Sequence, residues 1–472
     1  MVHLTTALDP ASAVPLYEQL YRSLAAEMRA GTLTAGTRMP GKRRLAAELS
    51  VSVNTVDTAY QMLAAEGYLT ARERSGFTVQ EYLALPQGVQ PPAAPSAPTA
   101  VHPADTAPPV QFDLSTRGVD PGLFPFRTWA RLQKELLYSA PELLTPGDAR
   151  GDAALRQALA GYLAEYRGVQ CDPEQLVVGA GLEYLLGLLA PLLPGPAAVE
   201  TPGYPRARQV LENNGVPCRC LPVDADGLSL TALSASDAAV CYVTPSHQFP
   251  TGAVMPIARR QSLLRWAGEA PGRYLIEDDY DSEFRYTGRP IPTLQSIDDR
   301  GRVIYLNTFS QTISPSMRLG FLVLPPRLLE RYRRNLGFYA CTVPALEQHV
   351  LARFISGGHY ERHLARMRKE YRERRGAVLE AFRLSPLSQR VTFSEEGAGL
   401  HFLLTLDTAR SDDELRRLTS AAGLRLSFLS EYADRPDSVP AHTLVVNYAG
   451  LSQSDLEEAL RLLTDVLLPL LA

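Results

Sequence analysis

A proline- and alanine-rich stretch, residues 81–110, divides the 472-residue chain into a short N-terminal part and a long C-terminal part. This stretch holds eight prolines and seven alanines, including Pro91-Pro92-Ala-Ala-Pro95. Because such a segment buries little surface, it is expected to act as a semi-extended tether and not as part of a core. The sequence therefore predicts two separately packed parts, 1–80 and 111–472, joined by a linker at 81–110.

Composition and charge exclude several classes of protein. A formal net charge of −4 is incompatible with an overall polybasic protein, so any contact with nucleic acid must be local. No apolar run reaches the roughly 18 residues of a membrane span and no apolar signal core is present, which predicts a cytoplasmic protein without a membrane partner. The few, irregularly spaced cysteines predict neither a disulfide framework nor a metal site, and Cys218 and Cys220 are interpreted as strand residues.

The N-terminal part has the pattern of three helices followed by a β-hairpin. Residues 14–29 carry apolar side chains at helical spacing, Arg43–Leu49 forms a short second helix, and Ser52 is a plausible N-cap for a third. On that third helix Val56, Tyr60 and Leu63 would pack inward and leave Asn54, Thr55 and Thr58 exposed. Tyr68–Thr70 and Phe77–Val79 would form the hairpin, with Arg72–Gly76 between them.

From Arg38 to Leu69 the sequence resembles the GntR family of winged-helix regulators, in which cap, turn, helix and wing occur in the same register. The resemblance implies double-stranded promoter DNA as a partner. It implies that Arg43 and Arg72 contact phosphates, that Ser52, Asn54 and Thr55 lie at the start of the recognition helix, and that Gly76 turns the wing. Val53 departs from the family, where this position is often basic. The alternative is a protein-interaction module with a solvated basic face.

In the C-terminal part, short apolar runs alternate with amphipathic helical patterns. This alternation predicts an α/β fold with a mostly parallel sheet covered on both faces. After about residue 345 the pattern changes to long arginine-rich helices and a final β–α segment, which predicts a second, smaller α+β domain. The strand-like runs are 176–178, 197–199, 238–243, 273–276, 303–306 and 321–324, and the helical patterns include 152–166, 205–213 and 256–268.

The segment 303–324 has the pattern of a strand, a polar turn and a second strand. It resembles the lysine loop of fold-type I pyridoxal 5′-phosphate (PLP) proteins, where a lysine amine forms a Schiff base with the cofactor. Gln311 stands at the position of that lysine. An amide nitrogen has its lone pair in resonance, so it can neither form the Schiff base nor move a proton. The three lysines of the chain, Lys42, Lys134 and Lys369, all lie outside this loop.

Other residues of the C-terminal part match the remainder of a PLP site. A carboxylate at the end of a buried strand, Asp278, suits a protonated pyridine nitrogen. Small residues before a helix let backbone N–H groups approach a phosphate. By the resemblance, the cofactor-binding residues are Gly181, Leu182, Ser310, Gln311 and Arg318 at the phosphate end, and Tyr204, His247, Asp278 and Tyr280 around the ring.

Several segments together resemble the MocR/GabR subfamily of GntR regulators, and the similarity covers nearly the whole chain apart from the linker. It implies a head-to-tail homodimer and a transcription factor that senses PLP or a PLP–amino acid adduct, usually without turnover. Besides Gln311, Asn307 and Gly181-Leu182-Glu183 depart from the family. Since 443–448 lacks an arginine, Arg206 or Arg208 is the candidate for binding an effector carboxylate. The matching segments are 147–156, 200–205, 244–252, 277–284 and 308–311.

Two explanations of Gln311 compete: the natural protein has lost covalent PLP, or a laboratory substitution was made to trap a non-covalent or external-aldimine state. In either case PLP could still bind through its phosphate, by stacking and through Asp278. An empty pocket and a different anionic ligand also remain open. The leading hypothesis is a regulator that responds to a small-molecule effector; the alternatives are a PLP-dependent aminotransferase-family enzyme with an accessory helical domain, and a DNA-binding scaffold controlled only by partners.

Overall fold

The computed structural model describes residues 8–72, 76–81, 109–115, 118–286, 291–394 and 397–470, with the backbone alone for Arg72. The chain divides into two compact units, Met1–Asp105 and Thr106–Ala472. Most of the predicted linker, 82–108, lies outside the described residues, as do residues 73–75 of the predicted wing. None of the described helices is long and apolar enough to cross a membrane.

The N-terminal unit contains the predicted three helices and antiparallel hairpin. Ser52 caps the third helix as expected, since its hydroxyl accepts a hydrogen bond from the Thr55 N–H at 3.0 Å. The inward residues Val56, Tyr60 and Leu63 are fully buried against the first helix. The elements are α1 (Leu16–Arg29), α2 (Lys42–Glu48), α3 (Val53–Ala65), β1 (Leu69–Arg72) and β2 (Gly76–Val79).

The larger unit is built around an eight-stranded sheet of order β4-β11-β10-β9-β8-β5-β6-β7. Neighbours from β10 to β6 are parallel, whereas β11 is antiparallel to β10 and β4, so the predicted mostly parallel sheet is confirmed. The strands are β3 (Phe112–Asp113), β4 (Leu176–Gly179), β5 (Ala197–Thr201), β6 (Cys218–Asp224), β7 (Gly227–Leu228), β8 (Val240–Val243), β9 (Tyr274–Asp278), β10 (Val303–Thr308) and β11 (Gly320–Val323).

Helices lie between several of these strands, as the alternating pattern predicts, and further helices follow β11. Their apolar faces join the strand side chains in continuous buried clusters, which gives the sheet its covering layers. The helices are α4 (Phe126–Ser139), α5 (Ala153–Tyr166), α6 (Leu182–Leu189), α7 (Pro205–Asn213), α8 (Leu230–Ala235), α9 (Ile257–Glu269), α10 (Pro326–Asn335), α11 (Ala345–Ser356) and α12 (His359–Leu384).

A smaller α+β part follows α12, as predicted. Its strands β12 (Val391–Phe393), β13 (His401–Leu406) and β15 (Thr443–Asn447) form an antiparallel sheet, packed with α13 (Asp412–Ala421) and α14 (Gln453–Leu467). A short strand, β14 (Leu424–Arg425), pairs in parallel with β3 from the start of this unit.

The sheet brings the predicted cofactor residues to one edge. In register, Asp278 at the end of β9 lies opposite Leu306 of β10, and Val243 at the end of β8 lies opposite Glu277. The segments that carry Tyr204, His247 and Gln311 follow the ends of β5, β8 and β10. This carboxyl edge is the usual ligand side of an open α/β sheet.

Candidate functional site

Asp278 is a buried carboxylate with one oxygen left free. Its side chain is almost completely buried (4% exposed), Oδ2 accepts a hydrogen bond from the Tyr242 hydroxyl, and Oδ1 has no partner among the described residues. Burial, with the charges of Asp279 and Asp281, raises the pKa of Asp278 to about 7 despite the hydrogen bond from Tyr242. A ligand that offers a cationic N–H would satisfy Oδ1 and favour the charged carboxylate.

Tyr280 and His247 form a second polar group at this edge. His247 Nδ1 lies 3.0 Å from the Tyr280 hydroxyl and 2.8 Å from Asp281 Oδ2. The other ring nitrogen of His247, Nε2, is buried without a partner in the described ranges. Gly399, at φ 80°, packs against this ring so closely that a Cβ there would lie 1.9 Å from His247 Cε1. The histidine is therefore fixed from two sides.

Tyr204 lies within electrostatic reach of both ends of the predicted cofactor site. Its ring makes an edge contact with Phe249, at 5.8 Å between centroids. Burial raises the pKa of Tyr204 to about 12; the carboxylates of Glu183 and Asp278 contribute to the rise, and the guanidinium groups of Arg206 and Arg318 oppose it. The phenol thus responds to the charges of residues from the strand end and from the start of α6.

The loop after β10 places Ser310 and Gln311 side by side, both half-buried. Oε1 of Gln311 is buried and accepts no hydrogen bond from the described part of the chain. The side chain at the predicted Schiff-base position is thus a neutral amide with an unsatisfied acceptor.

At the predicted phosphate end, the arginine is already paired with a carboxylate. Arg318 donates through Nη2 to Glu183 Oε2 at 2.6 Å and to the Ala180 carbonyl at 3.1 Å. Gly181, the N-cap of α6 at φ 85°, permits this approach, because a Cβ at that position would lie 2.6 Å from Arg318 Nη2. Leu182, the first residue of α6, is half-buried and brings no polar group.

The two candidate effector-binding arginines lie in different surroundings. Arg206 Nη1 is 3.3 Å from Glu183 Oε1, so this arginine belongs to the charged group at the start of α6. Arg208 pairs instead with Glu212, at 3.0 Å, and with Asp434. Of the two, Arg206 is the arginine placed beside the predicted phosphate end.

Tyr242 is a site residue that the sequence analysis missed. It lies opposite Ile276 in register, two residues before Asp278, so Tyr242 and Asp278 share one face of the sheet. The available signal was a tyrosine in an otherwise apolar strand, because a buried phenol requires a hydrogen-bond partner.

These residues fit only part of PLP. The free oxygen of Asp278 suits the protonated ring nitrogen, and Tyr204 and Tyr280 supply nearby phenols. The amide of Gln311 cannot link to the aldehyde, and the Arg318 guanidinium is engaged by Glu183. The described residues therefore fit the ring end of PLP, but they do not fit a Schiff-base link at position 311 or an unpaired arginine at the phosphate end.

In the N-terminal unit, the four basic residues between positions 38 and 44 differ in their pairing. Arg38 and Arg43 are exposed and make no ion pair with the described residues, whereas Lys42 pairs with Asp57 and Arg44 pairs with Glu48 at 2.8 Å. Two arginines are thus available to phosphates without breaking an existing pair.

The predicted base-contacting residues lie at the start of α3. Asn54 is exposed, and Thr55 is half-buried with its hydroxyl 2.8 Å from Ser52 Oγ. Gly76 begins β2 at φ 84°, a left-handed conformation that favours glycine and suits its predicted place in a turn. The side chain of Arg72, predicted to contact phosphate, lies outside the described residues.

Two protein-family models match the chain. The model described as bacterial regulatory proteins, gntR family, matches residues 16–79, and the model described as aminotransferase class I and II matches residues 118–463. The two matches lie on either side of the proline- and alanine-rich stretch.

Full-length relatives have the same combination. The chain is 38% identical to the uncharacterized HTH-type transcriptional regulator YhdI of Bacillus subtilis, over 99% of both chains. It is 37% identical to the probable rhizopine catabolism regulatory protein MocR of Rhizobium meliloti, over 98% of this chain and 96% of that protein. Among solved structures it resembles Pyrococcus horikoshii kynurenine aminotransferase in complex with PMP, with 25% identity, a TM-score of 0.66, and 76% of this chain and 91% of that chain covered.

Proposed function

Since the chain belongs to the MocR/GabR subfamily of GntR-type transcriptional regulators, we propose that its aminotransferase-like unit senses PLP or a ligand related to PLP or to a PLP–amino acid adduct. The protein is a DNA-binding transcriptional regulator. In this proposal the ligand binds without a covalent link and alters how the protein acts at its promoter. Residues 1–80 bind DNA, 81–110 link the parts, and 111–472 bind the effector and dimerise.

One pair of observations carries the sensing role. Asp278 keeps a free, buried oxygen that a ligand can satisfy, while Gln311 offers no base at the position where transamination needs one. A ligand can therefore gain binding energy at Asp278. The site lacks a base at position 311 to move a proton between the substrate carbon and the cofactor. This combination favours a receptor over a catalyst.

For DNA, we assign the contacts to the start of α3, to α2 and to the wing. Asn54 and Thr55 would meet base edges, with Ser52 capping the helix, and Arg43 and Arg72 would neutralise phosphates. The exposed Arg43, which lacks an ion pair within the described ranges, supports this assignment. A protein that acts on promoter DNA would work in the cytoplasm of a bacterium.

We also propose a head-to-tail homodimer formed by residues 111–472. Large apolar side chains are exposed on the described part of this unit and are available for contact with another copy. They include Phe126 (62% exposed), Tyr138 (82%), Leu144 (81%) and Phe338 (78%). Light scattering of the full chain should give twice the monomer mass of 51.7 kDa.

The function is tested by footprinting the full-length protein on the DNA upstream of its own gene, with and without added PLP or pyridoxamine. We expect a protected site whose occupancy changes with at least one of these ligands, and no stoichiometric borohydride-stable adduct of PLP with the protein. A stoichiometric covalent adduct would contradict the interpretation of Gln311. Turnover of amino acids with PLP would instead support the aminotransferase alternative.

A further inference from the structure

We infer that Glu183 excludes phosphate, and that the effector is an unphosphorylated molecule whose protonated nitrogen pairs with Asp278. This inference rests on the proposed sensing role of the aminotransferase-like unit and narrows the chemical class of its ligand. Glu183 is thereby a specificity-determining residue.

The first step concerns the anion position at the start of α6. A helix N-terminus carries partial positive charge and exposed N–H groups, so it favours an anion. Glu183 occupies the first turn of this helix and brings a carboxylate of its own. Its two oxygens contact two different arginines, Oε2 with Arg318 at 2.6 Å and Oε1 with Arg206 at 3.3 Å.

The second step concerns the charge of that carboxylate. Burial opposes its ionisation, but hydrogen bonds from Arg318, from its own backbone N–H and from Arg206 outweigh burial and hold the pKa of Glu183 below its usual range. At neutral pH the group is therefore an anion. Its side chain is 30% exposed, less than the 48% of Arg318 and the 54% of Arg206, so it lies deeper than the charges it neutralises.

The third step follows from the balance of charges. The two arginines and one glutamate leave a net charge of about one positive unit, too little to balance a phosphate dianion. A phosphate that approached Arg318 would meet the Glu183 carboxylate directly or would have to displace it from a charge-assisted hydrogen bond. A ligand without phosphate meets neither obstacle.

The ring end of the predicted site, at Asp278, retains its binding capacity. Asp278 is buried, with Oδ1 unpaired in the described structure. The end of β9 that carries Asp278 lies at the same edge of the sheet as the end of β4, which leads into α6 and Glu183. A protonated ring or amine nitrogen would supply the missing donor and the opposite charge. The site therefore has a free carboxylate oxygen, on Asp278, that can bind a cation. Its anion position at the start of α6 is already occupied by the protein's own Glu183.

The test compares pyridoxamine with pyridoxamine 5′-phosphate by calorimetry on the full-length protein. These probes differ only in the phosphate, and neither carries an aldehyde that could react with surface lysines. We expect pyridoxamine to bind at least as tightly as its phosphate. The variant Glu183→Gln should bind the phosphate roughly tenfold more tightly than the natural chain does, with little change for pyridoxamine. Glu212→Gln, which alters an exposed pair with Arg208, is the control and should behave like the natural chain.

Two results would overturn the inference. A natural chain that prefers the phosphorylated probe by tenfold or more would show that the anion position is open, while leaving the sensing role intact. A Glu183→Gln variant without any gain for the phosphate would show that Glu183 does not exclude it. If neither probe binds either protein and promoter occupancy never responds to them, the proposed sensing role fails together with the inference.

Discussion

The Tyr242 hydroxyl donates a hydrogen bond to Asp278 Oδ2 from the neighbouring strand β8, while Asp278 Oδ1 has no partner within the described part of the chain. Tyr242 fixes the orientation of the carboxylate without neutralising it. Because a buried, uncompensated charge is costly, burial shifts Asp278 towards its protonated form, and a bound cationic ligand would shift it back towards the carboxylate. Ligand binding and proton release at Asp278 are therefore coupled.

Asp278→Asn should reduce the loss of stability that accompanies rising pH. The pKa of Asp278 is about 7 in the folded protein and 3.8 ordinarily, so the folded state holds a proton that the unfolded state releases. Stability from this group therefore falls as pH rises from about 4 to about 7, by up to ~1.4 kcal/mol per pKa unit. Urea unfolding of the full chain at pH 5 and pH 8 should show a smaller difference for the asparagine variant.

The matched control is Asp299→Asn, at a side chain that is 90% exposed. This variant should retain the pH dependence of the natural chain. Burial also raises the pKa of Glu200 and of Glu277 to about 7, so part of the dependence should persist in Asp278→Asn. An unchanged difference between pH 5 and pH 8 in Asp278→Asn would contradict the assignment.

Arg167→Met should destabilise the larger unit strongly. Arg167 Nε donates to Asp279 Oδ2 at 2.8 Å, both side chains are buried, and the Tyr305 hydroxyl donates to the same oxygen at 2.6 Å. Burial opposes ionisation of Asp279, but the Arg167 charge outweighs it and lowers the pKa of Asp279, so removal of the arginine leaves a buried charge uncompensated. Losses of about 3–5 kcal/mol are typical of such a change.

The measurement is the free energy of unfolding in urea. Arg219→Met is the control, because Arg219 pairs with Asp237 at 2.7 Å on an exposed surface and solvent screens the pair. We expect little effect from that substitution. Equal losses of unfolding free energy in the two variants would mean that the buried Arg167–Asp279 pair is worth no more to stability than the exposed Arg219–Asp237 pair.

Local sequence patterns predicted the elements well, because helical spacing and capping act over a few residues. The helix predicted over Asp152–Tyr166 is α5 with Asp152 as its N-cap, and the pattern Pro205–Asn213 is α7. The predicted cap at Ser52 and the strand ending near Asp278 follow the same local rules.

Contacts between distant segments could not be predicted in this way. Arg318 and Glu183 are 135 positions apart, and nothing in the periodicity of either segment indicates that they form an ion pair. Phe112 also pairs with Leu424, more than 300 positions away, and no local pattern indicates this pairing or the order of the strands in the sheet. The family resemblance supplied the candidate cofactor residues but not the ion pair between Arg318 and Glu183 that changes the chemistry of the phosphate end.

Gly399→Ala should destabilise the protein and disturb His247. Gly399 has φ 80°, and an added Cβ would lie 1.9 Å from His247 Cε1. His247 cannot move freely, since its Nδ1 lies 2.8 Å from Asp281 Oδ2. Strain and overpacking of this kind cost about 1–3 kcal/mol each. Urea unfolding should detect the loss.

Gly376→Ala is the control for that substitution. Gly376 lies inside α12, and a Cβ there would meet nothing within 4 Å. Alanine is favoured over glycine in a helix interior by up to about 1 kcal/mol, so this variant should gain stability. We therefore expect Gly399→Ala to lower the free energy of unfolding and Gly376→Ala to raise it. If Gly399→Ala left that free energy unchanged, the His247 ring would have room to shift.

Arg43→Ala should weaken promoter binding and flatten its dependence on salt. Arg43 is exposed at the start of α2 and forms no ion pair with any described residue, so it is free to neutralise about one phosphate. The slope of log K against log salt should fall by roughly one. The control is Arg22→Ala on α1, which also removes one positive charge from the N-terminal unit. Arg22 pairs with Glu18, so this variant should leave the slope unchanged. Identical slopes for all three proteins would remove Arg43 from the contact surface.

Gln311→Lys alone should not restore a firmly bound PLP Schiff base, whereas Gln311→Lys combined with Glu183→Gln should. The lysine supplies the missing amine, but the phosphate of PLP still meets the Glu183 carboxylate beside Arg318. Removing that charge frees the Arg318 guanidinium, so the two substitutions should act more than additively on PLP affinity. Absorbance titration with PLP, followed by borohydride reduction and mass measurement, reports both affinity and covalent attachment. Equal PLP affinity in the single and double variants would mean that the lysine alone was missing from an otherwise complete site.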